Sequence, residues 1–93
     1  MPAFGQIQIN QDGRSGDITL TLASGSHRFW WEFGGGDCIA FIDVPDARQW
    51  QAIPALAPHS RDALLAWLAR EVSRRQCAGA RIVISDSAIE FHR

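Results

Sequence analysis

Two cysteines, three histidines and a scatter of carboxylates are the residues in this 93-residue chain whose types could do chemistry. Cys38, Cys77, His27, His59 and His92 have the atoms of a zinc site. None of them falls at the close paired spacing that puts two ligands into one turn, so the pattern predicts no metal centre. Cys38 opens the apolar run Ile39-Ala40-Phe41-Ile42 and reads as a small hydrophobe and not an activated thiolate. His59 and Ser60 are neighbours in sequence, but adjacency does not aim an imidazole at a hydroxyl, and Ser60 is better used as a helix cap. Asp37, Asp43 and Asp46 suit turns and caps better than a carboxylate cluster. Gly34-Gly35-Gly36 lacks the helix start and the Lys-Ser/Thr pair that let a glycine loop bind phosphate. No nucleophile, base, metal set or cofactor motif assembles, and the chain is read as noncatalytic.

The elements that carry these residues follow from periodicity. Gln6-Ile7-Gln8-Ile9-Asn10 and Asp17-Ile18-Thr19-Leu20-Thr21-Leu22 alternate polar with apolar residues, as half-buried strands do. Arg28-Phe29-Trp30-Trp31-Glu32-Phe33 is a third strand, with Phe29, Trp31 and Phe33 on one face. Residues 38 to 44 are apolar on both parities except at Asp43, which predicts a central or doubly covered strand. In the proline-bearing stretch from Pro45 to Pro58, Asp46 is placed to cap a short helical turn with Gln49 at its third position and Trp50 packing back toward Val44 or Pro45.

Helix 60 to 77 has the clearest signals. Ser60 caps it, Asp62 suits its positive end, Arg70, Arg74 and Arg75 suit its negative end, and Gly79 supplies a stop. Leu64, Leu65, Leu68 and Val72 form an apolar stripe that must lie on the sheet, with Trp67 half exposed on its flank. Arg81-Ile82-Val83-Ile84 and Ala88-Ile89-Glu90-Phe91-His92 then form a C-terminal hairpin or one bulged strand. The prediction is a single α+β domain over residues 1–93: an antiparallel β-meander of about four strands, one amphipathic helix on one sheet face, and C-terminal β structure.

Composition narrows the function. The formal net charge is −1, which supplies no one-signed field to attract nucleic acid or an anionic membrane. The N-terminal segment Met1 to Gln6 lacks the charged and apolar regions of a leader, no run is long enough to span a bilayer, and two cysteines without a leader read as reduced thiols of a cytoplasmic protein.

The informative residue is Trp30. Strict alternation places it opposite Phe29 and Trp31, and a single helix covers only one face, so Trp30 needs another neighbour. The segment carrying Trp50 and Ile53, a second copy of the chain, and a partner protein are the three coverings available. Arg28, Trp30, Trp50 and Ile53 are therefore the expected binding surface of an interaction or accessory module, working as a homodimer or with a protein partner. The alternative is single-stranded nucleic-acid binding, with bases stacked on Trp30 and phosphates held by Arg28 and the helix-end arginines.

Overall fold

The computed structural model describes residues 4–93, and Met1 to Ala3 of the N-terminal segment lie outside it. β1 Gln6–Asp12, β2 Ser15–Leu22 and β3 Gly25–Phe33 are somewhat longer than their clearest alternation, and β4 Cys38–Asp43 stops one residue short of its apolar run. The first three extend because short turns let pairing continue almost to the tips. Asp12 pairs with Ser15 across a two-residue turn, and Gly13 takes its first position with φ +66°, a left-handed value at which glycine is favoured.

Asp46 caps α1 Ala47–Gln51 with the reciprocal bonds predicted from its spacing to Gln49. The Gln49 N–H donates to Asp46 Oδ1 at 2.8 Å, and the Asp46 N–H donates to Gln49 Oε1 at 3.0 Å. The main helix, α2 Arg61–Gln76, starts at Ser60, whose Oγ accepts from the Ala63 N–H, and ends at Cys77. β5 Arg81–Ile84 and β6 Ala88–His92 form the hairpin and not one bulged strand.

All pairings are antiparallel in one six-stranded sheet of order β1-β2-β3-β4-β6-β5, so β4 is central, as expected. The register fixes two faces. Ile9, Ile18 and Phe29 are aligned across β1, β2 and β3, and Trp31, Ile42, Ile89 and Ile84 continue across β3, β4, β6 and β5. Except at Ile84, which is exposed on the edge strand, this face meets the helix stripe, and Leu64, Leu65, Leu68 and Val72 are all buried in one core with it. A register shift between Cys38 and Ala40 brings Ile39 onto the core as well.

Two features differ from the sequence expectation. Trp67 is 6% exposed and not half exposed, because Phe4 lies against it with ring centroids 5.7 Å apart. β4 is covered on one face only: Ile42 is buried, whereas Phe41, on the opposite parity, stays partly exposed.

Gly16 shows why one strand position must lack a side chain. It pairs with Trp31, whose indole N–H crosses over it to donate to the Asn10 carbonyl at 3.0 Å. A Cβ at position 16 would collide with that carbonyl oxygen and lie 2.9 Å from Trp31 Nε1. Arg61 ties the layers together at the other end, donating to the carbonyls of Pro45, Ser85 and Asp86 at 2.9, 3.0 and 2.8 Å. It thereby fixes the start of α2 to both the α1 segment and the β5–β6 turn.

Candidate functional site

The register separates the four tryptophans by environment. Trp31, Trp50 and Trp67 are buried, while Trp30 is 49% exposed and lies on the sheet face opposite α2. The difference extends to hydrogen bonding. Trp31 donates to Asn10 O and Trp50 donates to His59 O, both at 3.0 Å, whereas the Trp30 indole N–H has no partner among the described residues. A large ring and a free donor therefore face outward together.

The neighbours of Trp30 follow from the pairing. Asp17 is directly across on β2, and extending the Trp31↔Ile42 register by one pair puts Asp43 beside it on β4. Arg28 and Glu32 flank it along β3 and share its parity, and Phe41 lies opposite Glu32. Further across, Phe41 pairs with Glu90, which pairs with Val83. Val83 is one of the few large apolar side chains that, like Trp30, are well exposed. The uncovered face thus carries an aromatic and aliphatic set, Trp30, Phe41 and Val83, interleaved with carboxylates.

Of the four residues expected to form the binding surface, the structure brings only Arg28 and Trp30 together. Trp50 is 0% exposed and belongs to the helix-side core, and Ile53 packs partly buried against that same core. The Pro45–Pro58 segment therefore does not cover Trp30, which corrects the first of the three coverings. The physical reason is the reciprocal cap at Asp46, which turns α1 so that Trp50 enters the core beside α2, where its indole N–H reaches the carbonyl just before the helix. The helix-end arginines are also separated from Trp30. Arg74 and Arg75 approach Glu71 at 2.8 and 3.7 Å, and Arg75 also donates to Ile7 O at 3.3 Å, all on the α2 side of the sheet.

Tertiary folding also brings together two side chains of catalytic type that sequence spacing did not pair, Ser24 and His59 at 3.1 Å. The direction of their contact is wrong for nucleophilic chemistry. Ser24 Oγ donates its one O–H to Ala55 O at 2.7 Å, so toward His59 it can only accept a hydrogen bond from Nε2–H, and in that tautomer Nε2 cannot act as the base for the serine. No carboxylate orients the other ring nitrogen among the described residues. The pair fastens the β2–β3 turn to the segment before α2. Only the fold could disclose it, because 35 positions separate the two residues.

The remaining reactive groups are similarly placed. Cys38 and Cys77 are free and partly buried, and burial pushes the Cys77 thiol up, away from the thiolate. His27, edge-on to Phe29 with centroids 4.7 Å apart, is held below the ordinary imidazole value by burial. Among the described residues no three His, Cys, Asp or Glu side chains come together as a metal site. An apolar cleft between the end of α2 and the sheet, lined by residues including Ile39, Val72 and Cys77, encloses a void of about 30 Å³. Small-molecule sites are roughly ten times larger. No described helix is long and apolar enough to cross a membrane. Comparison of the chain with known protein families, curated proteins and solved structures returns no match.

Proposed function

We propose that this chain is a noncatalytic protein-interaction module whose docking surface is the uncovered sheet face centred on Trp30. The observation that carries the reading is the 49% exposure of Trp30 on a face that no other element among the described residues shelters. Exposed tryptophan is characteristic of interface centres, where a rigid ring supplies large contact area at low entropic cost. The ring projects from a regular strand, so the surface is preorganised. A cytoplasmic setting, in which Cys38 and Cys77 stay as thiols, belongs to the same proposal.

Charge favours a heterologous protein partner over the two rival occupants. Glu90 on this face is engaged by His92 at 2.9 Å, but Asp17, Glu32 and Asp43 cluster around Trp30 with only Arg28 beside them, a local acidic excess that disfavours phosphate and a second copy of the same surface. The arginines invoked for nucleic-acid binding at the helix end are on the opposite side of the sheet.

Size-exclusion chromatography of native cell extract tests the reading. Wild-type chain should elute in an assembly well above its 10.3 kDa mass, and Trp30→Ser should elute as free monomer with an unchanged circular dichroism spectrum. Identical elution of the two proteins would contradict it. Purified chain should remain monomeric, because the face does not complement itself.

A further inference from the structure

Resting on that docking face, we propose that its partner presents an arginine side chain over Trp30, so that the surface recognises a cationic, arginine-bearing protein segment. Three features of the face converge on this chemistry. The Trp30 ring is open to a planar cation, and indole is the best of the aromatic side chains for cation–π contact. Asp17 and Asp43 bracket it on the neighbouring strands, each about 4.8 Å away in the pairing direction. These carboxylates are not neutralised from within: Asp17 accepts only the neutral Asn10 amide at 2.9 Å, and neither Asp43 nor Glu32 has an ion-pair partner among the described residues.

The geometry favours arginine over lysine. A guanidinium can lie flat on the indole and direct its N–H groups sideways to carboxylates on either edge, whereas an ammonium is a strongly hydrated point charge that does not stack. Arg28, on the same strand, has no hydrogen-bond partner of its own among the described residues and limits the pocket on one side. An incoming chain is thereby directed toward Glu32 and Phe41, away from the like charge. The same carboxylates exclude a nucleic-acid backbone, which would bring phosphate to within a few ångströms of Asp17 and Asp43.

The test is a titration of ¹⁵N-labelled full-length protein with a short peptide alternating arginine and serine, followed by the tryptophan indole resonances. Matched lysine and glutamate peptides and a ten-residue thymidine oligonucleotide serve as the other ligands. The arginine peptide should shift the Trp30 indole and the Asp17 and Asp43 amides saturably, leaving the Trp50 indole unmoved. Binding should weaken about five-fold with lysine in place of arginine, in line with a lost cation–π contact. It should weaken by a similar factor in the folded Asp17→Asn/Asp43→Asn variant, and further as salt is raised from about 0.05 to 0.3 M. Absence of a saturable shift with the arginine peptide, equal binding of the glutamate peptide, or tighter binding of the oligonucleotide would overturn the proposal. If the native assembly depends on Trp30 while arginine peptides do not bind, the docking face stands and its cationic partner does not. If the assembly is also indifferent to Trp30, both fail.

Discussion

Replacing Trp50 should be among the most damaging single changes in this protein, and replacing Trp30 among the mildest, although both are tryptophan. Trp50 is 0% exposed, its ring enclosed by the core between α1, α2 and the sheet. A buried indole removes roughly 200 Å² from water, worth about 5 kcal/mol at about 25 cal/mol per Å². That figure is an upper bound, since the unfolded chain already shelters part of its surface. Trp50→Ala keeps a small part of this burial and loses the 3.0 Å bond to His59 O, worth about 1 kcal/mol. The expected cost is about 4 kcal/mol, within the range of about 3 to 5 found when aromatic residues are truncated in cores. At an unfolding entropy near 2.1 cal/mol/K per residue, Tm should drop by about 20 °C. Trp50→Phe keeps most of the apolar area and should cost about 1 to 2 kcal/mol. Trp30→Ser removes only an exposed ring and its cross-strand contacts, and should cost under about 1 kcal/mol. Urea unfolding followed by far-ultraviolet circular dichroism measures all three. A Trp50→Ala loss under about 1 kcal/mol, or a Trp30→Ser loss equal to it, would refute the assignment of the two rings to core and open face.

Other expectations follow from the same packing. Leu68→Ala empties the middle of the α2 stripe and should cost about 2 to 5 kcal/mol by urea denaturation. Gly16→Ala should destabilise by more than the roughly 1 kcal/mol of an ordinary strand substitution and should shift the Trp31 indole resonance, because the new methyl would occupy the path of the Trp31 to Asn10 bond. His27 has its imidazole held below the ordinary value near 6.5 by burial, so as pH falls through about 6.5 the unfolded state takes up a proton that the folded state resists. Its contribution therefore lowers stability on acidification and vanishes above neutrality. Wild type should lose more stability than His27→Gln between about pH 7.5 and 5.5, and equal losses would contradict this.

Much of the fold was legible because one-dimensional patterns enforce it. Alternation in β2 and β3 fixes which side chains meet the helix, and the Asp46–Gln49 and Ser60 caps mark both helix starts. The placement of Trp30 away from α2 follows from that alternation alone. Trp50 and Trp67 were less legible because their burial depends on distant segments. Trp50 is covered once the α1 cap rotates it toward α2, and Trp67 is covered by Phe4, 63 positions earlier. The apolar content of β4 suggested two coverings, but hydrophobicity records what a face would bury and not whether the chain supplies the cover. Phe41 is the result, apolar and partly exposed beside Trp30. The acidic character of that face was hidden for a similar reason. Asp17, Glu32, Asp43 and Glu90 come from four strands and meet only when the register is known, while the net charge of −1 averages them with arginines on the other side.

The face centred on Trp30 is the proposed docking site for another protein. Its most direct test is photo-crosslinking in cells with a benzophenone amino acid at position 41, on the same face and leaving the Trp30 indole in place, compared with the same group at position 63 on the exposed side of α2. Discrete protein adducts from position 41 should be at least about ten-fold more abundant than those from position 63, as expected within a specific interface and not for incidental encounters. Equal labelling from the two positions, or adducts to nucleic acid in place of protein, would contradict it.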